Sequence, residues 1–154
     1  MNASAAVERV ASMADPLATA QFKSSVRIYY EDTDAQGVVY YANYLKFMER
    51  CRTDWLRHIG CDIDVVNRRF GIIFAVRSTR IEYFKPARLS DELTVTVEIR
   101  ELRKASIRLE QYVYRDTECL CQSTIRLACL DATRFEPVPL PGPILTEIKT
   151  WKMP

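Results

Sequence analysis

One helix-like run constrains this chain more than any other feature. Tyr44, Phe47, Met48, Cys51, Trp55 and Ile59 recur at helical spacing, while Lys46, Glu49, Arg50, Asp54 and Arg57 fill the opposite arc. The run starts at Tyr41 or Asn43 and ends at Ile59, where Gly60 supplies the stop. At 1.5 Å per residue it is roughly 25 Å long, enough to span a small sheet. Its apolar stripe is wide and bulky, so it has to be wrapped by other structure. What the sequence offers for wrapping is strands.

Val26, Ile28 and Tyr30 alternate with Arg27 and Tyr29, the pattern of a half-buried strand ahead of the helix. Four more strand candidates follow it: 72–84, 93–102, 106–114 and 120–130. Short connections such as Arg115-Asp116-Thr117-Glu118 favour antiparallel hairpins. The expected class is therefore α+β: a curved antiparallel sheet of about five strands around one long central helix, in the order β-α-β-β-β-β. Beyond Asp131 a proline-rich run stops regular structure, and residues 144–152 suit a short closing helix.

With 154 residues the chain fits one domain, expected over 23–154, and the Ala- and Ser-rich residues 1–22 read as a loosely ordered extension. That extension lacks a basic start followed by an apolar core, so it does not read as a secretory signal. No apolar run is long enough for membrane insertion. A net charge of +2, from 22 basic and 20 acidic residues mixed along the chain, gives no global case for nucleic acid. The five cysteines are odd in number and lack paired metal spacing, which favours reduced thiols and a cytoplasmic setting. Cys119 and Cys121 point to opposite faces if they lie in a strand, and the only histidine, His58, is distant in sequence, so no metal site is expected.

The stretch between strand and helix, Tyr29-Tyr30-Glu31-Asp32-Thr33-Asp34-Ala35-Gln36-Gly37, places a carboxylate pair and a glycine turn just ahead of a helix. Locally, an Asp before such a turn is ordinarily a turn-former or cap. That reading is retained for Asp32, as a capping or ion-pair role. Tyr40, Tyr41 and Tyr44 fit a core, a subunit interface or a substrate pocket. Glu49 reads as a solvated or interface charge, with a second catalytic carboxylate as the minority alternative. Arg103 and Lys104 form a basic hairpin turn, and Arg88 is placed to hold the Pro86-Ala87-Arg88 turn by bonding to carbonyls.

Taken together, the Asp-x-x-Gly corner, the Tyr40-Tyr41 pair, Asn43-Tyr44 and the downstream Pro-Ala-Arg resemble the small bacterial acyl-CoA thioesterases related to 4-hydroxybenzoyl-CoA thioesterase. They are most similar to the Tol-Pal-associated branch, and the resemblance runs from about Val26 to Asp131. It implies the hotdog fold and hydrolysis of acyl-CoA to a carboxylic acid and coenzyme A. It places the essential carboxylate on Asp34, the turn glycine on Gly37, and the carbonyl-polarising backbone N–H on Tyr41. Tyr41 stands where relatives of that branch often have histidine, so the implied role there is the backbone's, not an imidazole's. Gln36 stands where many relatives have glycine. The resemblance further implies a grip on coenzyme A phosphates from Arg103 and Lys104; Tyr40 and Tyr44, in their pocket reading, and Ser106 are the other residues expected to bind substrate.

The chemistry is consistent with this. A thioester is an activated acyl group with a good leaving group, so no metal or redox cofactor is called for. A helix N-terminus near Tyr41 can stabilise an oxyanion, while Asp34 either activates water or attacks the carbonyl itself. A curled sheet with open edges argues for a homodimer or homotetramer. An acyl carrier protein or a cell-envelope-linked partner is a further expectation. Two rivals remain open: a hotdog dehydratase, for which His58 is misplaced, and a non-catalytic acyl-binding or scaffold protein.

Overall fold

The computed structural model describes residues 15–152. In chain order these form α1 (Pro16–Thr19), β1 (Phe22–Arg27), a 3-10 turn (Tyr30–Asp32), α2 (Asn43–His58), α3 (Ile63–Phe70), β2 (Ile72–Tyr83), β3 (Glu92–Leu102), β4 (Ser106–Arg115), β5 (Glu118–Asp131) and α4 (Gly142–Lys152). Most of the expected extension, residues 1–14, lies outside the described residues. Of its remainder, Pro16–Thr19 is one helical turn capped by the Asp15 carboxylate, and Phe22 already belongs to β1.

The five strands make one antiparallel sheet in the order β1-β3-β4-β5-β2. Their alternating apolar residues face α2: Leu93, Val95, Val97 and Ile99 of β3 and Ile107, Leu109 and Val113 of β4 share one buried cluster with Phe47, Met48, Cys51 and Trp55 of the helix. Trp55, Met48 and Cys51 are fully buried, so the long helix is the core of the molecule, as its stripe demands.

A polar tie also joins helix to sheet. Arg52 Nη1 donates to Gln111 Oε1 (2.8 Å), and Gln111 Nε2 donates to the Met48 carbonyl (3.1 Å) and the Thr96 carbonyl (3.2 Å). Burial pulls the Arg52 pKa below its ordinary value.

Two details differ from the expected order. The first strand lies earlier than the alternation placed it: Tyr30 is 81% exposed and sits in the 3-10 turn, because the chain bends at Tyr29 toward the Asp32 carboxylate. An additional helix, α3, follows the long one. Its N-cap is Asp62, whose carboxylate accepts the Asp64 N–H, and it closes at Gly71 with φ +64.

Candidate active site

The corner ahead of α2 is held by short hydrogen bonds. The Asp32 carboxylate accepts the Tyr29 N–H (2.9 Å) and Asn43 Nδ2 (3.2 Å), and the Asp32 carbonyl accepts the Tyr40 N–H (2.9 Å). Asp32 is therefore a structural carboxylate that ties the turn to the first residue of the helix, as a capping role requires.

Between these ties the chain makes a tight loop. Thr33 bridges to Val39, the Asp34 N–H donates to the Val38 carbonyl (2.9 Å), and the Gly37 N–H donates to the Asp34 carbonyl (3.0 Å). Gly37 adopts φ +78, which a side chain would strain. The loop is pinned from outside by the Val38–Arg88 bridge and by the Val39 N–H on the Ala87 carbonyl (2.9 Å). Asp34 is half-buried; its Oδ1 accepts the Gln36 N–H at 2.8 Å, and its Oδ2 takes no hydrogen bond among the described residues. One oxygen makes the turn and the other is available for chemistry.

At the helix start the Asn43 N–H bonds the Tyr40 carbonyl (2.9 Å), while the N–H groups of Tyr41 and Ala42 are claimed by no described backbone bond. They stand at the positive end of a sixteen-residue helix. Beside them lies a groove of about 270 Å³ lined by Val39, Tyr41, Tyr44, Tyr83, Phe84 and Pro86. Tyr83 meets Tyr44 edge-on at 5.5 Å between centroids, and Tyr44 Oη accepts the Ala87 N–H (3.0 Å). Burial pushes the pKa values of Tyr44 and Tyr83 up. Tyr40 packs against the Tyr41 ring at 4.9 Å but does not line the groove.

The remaining candidates lie elsewhere on the chain. Ser106 opens into a separate cavity of about 510 Å³ with Ala75, Val76, Arg77, Ala105 and Phe135, and its hydroxyl is 3.5 Å from Arg126 Nη1. Arg103 pairs with Glu101 (2.9 Å) in the exposed turn beside it, and the Lys104 carbonyl accepts the Leu140 N–H. No residue lines both cavities. Within one chain, then, the structure gathers Asp34, Gly37, Tyr41 and Tyr44 at the helix start and sets Arg103, Lys104 and Ser106 apart.

Some expectations for other residues change. Arg88 does not hold its turn through side-chain bonds to carbonyls. Arg115 does so instead, with Nη1 on the Pro86 carbonyl (3.2 Å) and on Asp91 Oδ2 (2.8 Å), because β4 ends directly beneath that turn. Glu49 is an exposed partner of Thr53, and the His58 ring packs on Phe22 and Trp151. All five cysteines are free thiols, and burial pushes Cys121 up to about 12 and Cys51 and Cys129 up to about 11. Among the described residues no group of three or more His, Cys, Asp or Glu could hold a metal ion. Sequence reasoning gave Tyr83 and Phe84 no place in the groove and carried Asn43 only as part of the motif, without its bond to Asp32. Aromatics at the end of an expected strand were the available signal for the first two.

Residues 28–150 match the model of the thioesterase-like superfamily. The chain is 41% identical over 120 residues to the acyl-CoA thioesterase YbgC of Haemophilus influenzae, covering 78% of this chain and 88% of that one. It is 38% identical over 132 residues to the acyl-CoA thioester hydrolase YbgC of Escherichia coli O157:H7, covering 85% and 98%. Among solved structures, a probable thioesterase from Bartonella henselae superposes with a TM-score of 0.73 at 31% identity over 77% of this chain and 98% of that one. A five-stranded antiparallel sheet on one long helix is the hotdog fold of these proteins, and this chain belongs to the thioesterase-like superfamily.

Proposed function

We propose that the chain hydrolyses acyl-CoA thioesters to a carboxylic acid and coenzyme A. The observation that carries this reading is the pairing, at one corner, of a carboxylate oxygen without a described partner on Asp34 with the unclaimed Tyr41 and Ala42 N–H groups beside an aromatic groove. The N–H groups receive the thioester oxygen as negative charge develops on it. Asp34 has two routes. As nucleophile, its oxygen bonds the acyl carbon, the C–S bond breaks, coenzyme A leaves as thiolate, and water then hydrolyses the mixed anhydride to restore the carboxylate. As general base, it takes a proton from the water that attacks the same carbon, and the tetrahedral intermediate then collapses with C–S cleavage and departure of the coenzyme A thiolate. Neither route draws on a metal or a redox cofactor, because the thiolate is already a good leaving group.

The working unit we infer is a homodimer, alone or paired into a homotetramer. β2 is an edge strand whose run from Val76 to Arg80 is exposed throughout. Antiparallel pairing of two copies about Ser78 and Thr79 sets the Tyr83 end of one strand beside the Ala75 end of the other. The Tyr41 groove of one subunit then meets the partner's Ser106 cavity, with Arg103 and Lys104 near enough to grip coenzyme A phosphates. Tyr44 completes the acyl side, and Tyr40 supports it from behind through its contact with the Tyr41 ring. A cytoplasmic location fits the free thiols, and an acyl carrier protein or a cell-envelope-linked protein is the further partner this reading allows.

Release of free thiol from a panel of aromatic, short-chain and long-chain acyl-CoAs tests the proposal. Turnover of at least one class is expected. No turnover on any member would overturn the reading and leave an acyl-binding or scaffold protein in its place.

A further inference from the structure

The helix that aims the carbonyl-activating amides begins without a side-chain cap: its N-cap is Ala42, which has no polar side chain to occupy them. The two carbonyls just ahead of it find their partners outside the helix ladder. Tyr41 lies just ahead of that N-cap, so its carbonyl has no place in the helix ladder, and the Leu45 N–H closes a tighter turn on the Ala42 carbonyl at 3.1 Å. The Tyr41 carbonyl is instead taken by Tyr83 Oη at 2.8 Å, from the far end of β2, forty-two residues along the chain. The preceding carbonyl, that of Tyr40, is taken by the Asn43 N–H at 2.9 Å. Two successive peptide groups therefore have bonded carbonyls and unclaimed N–H groups.

We propose that Tyr83 is a positioning residue for thioester hydrolysis, its hydroxyl fixing the Tyr41–Ala42 peptide so that the Ala42 N–H which that peptide carries converges with the Tyr41 N–H of the preceding peptide on the substrate carbonyl oxygen. The inference rests on the hydrolase reading above and adds to it a residue on another element. A hydrogen bond accepted by a peptide carbonyl polarises that peptide and strengthens its N–H as a donor. It also fixes the peptide plane before the substrate arrives, which is the condition for electrostatic stabilisation without reorganisation. Burial and the neighbouring Cys121, Tyr44 and Tyr41 push the Tyr83 pKa up, so the hydroxyl keeps its proton and remains a donor. The ring itself lines the groove whether or not the hydroxyl is present.

Tyr83→Phe separates the two parts, removing the hydroxyl and keeping the ring. In the full-length protein, with whichever acyl-CoA it turns over best, kcat is expected to fall about tenfold, the effect of losing one hydrogen bond. KM should stay within about twofold, since the ring contacts with the acyl group are unchanged. A second readout follows the bound thioester directly. In an Asp34→Asn background that preserves the substrate, isotope-edited infrared spectra should show the thioester carbonyl stretch moving back toward its solution frequency when Tyr83→Phe is added.

An active wild type whose Tyr83→Phe variant keeps full kcat and an unmoved carbonyl band would overturn the role of Tyr83 and leave the hydrolase reading standing. A variant that loses melting temperature and KM in step with kcat would also overturn it, by marking the bond as structural. A wild type inactive on every acyl-CoA would overturn both.

Discussion

The two ends of the central helix are held in different ways. At its C-terminal end Trp55 and Leu56 are buried in the core, His58 packs between Phe22 and Trp151, and Gly60 turns the chain at φ +82. Contact area and close packing fix that end. At its N-terminal end Tyr41 is 63% exposed, and the backbone is fixed by a few hydrogen bonds from Asp32, Asn43 and Tyr83. Packing shuts away every group it touches, even the Trp55 indole N–H that finds no partner, whereas hydrogen bonds to chosen atoms can leave their neighbours open. The polar end can therefore present unclaimed N–H groups and a carboxylate oxygen, and the apolar end cannot.

The sharpest way to break this contrast is at Trp55, which has no exposed surface. Trp55→Ala should cost about 3–5 kcal/mol of stability through lost transfer energy and a cavity. Denaturant unfolding measures that loss, and turnover per folded molecule should stay near wild type. A variant of normal stability with impaired turnover would show that the ends are not separate in function.

A smaller effect on stability and a larger one on turnover are expected at Asn43. Asn43→Ala removes the Nδ2 bond to the Asp32 carboxylate and should cost about 1–2 kcal/mol of stability. The same change loosens the Asp34 loop against the helix start, so kcat should fall about tenfold from misplacement alone. Melting curves run beside steady-state kinetics would decide it; unchanged kcat with a large drop in melting temperature would make the corner merely structural.

How legible these two ends were differs in the same way. The stripe from Tyr44 to Ile59 announced the packed end, because burial writes itself into sequence as periodicity. The later strands were legible for the same reason: β2 and β3 begin and end within a residue of where alternation placed them, at Ile72–Tyr83 and Glu92–Leu102. Asp34, Gly37 and Tyr41 were legible only through the motif around them, since an aspartate before a glycine turn has an ordinary structural use, and the Gln36 N–H indeed occupies one of its oxygens. The Tyr83 bond to the Tyr41 carbonyl was not legible at all. It joins elements forty-two residues apart, and no local pattern encodes such a contact.

The same limit explains Arg115, which bonds the Pro86 carbonyl from β4 while the nearer Arg88 does not. The short helix α3 escaped for another reason: in Ile63–Phe70 only Val66 is buried, so its stripe is too thin to register, although Asp62 and Gly71 mark its ends.

The central claim is that the carboxylate of Asp34 is present for chemistry and not for its turn. Asp34→Asn tests it most directly, because asparagine keeps an Oδ1 to accept the Gln36 N–H and so preserves the loop, but it is neither an effective base nor a carboxylate nucleophile. Measured on the best acyl-CoA, kcat should fall by about two orders of magnitude or more while KM and melting temperature stay near wild type. An Asp34→Asn protein that folds normally and turns over at the wild-type rate would contradict the account.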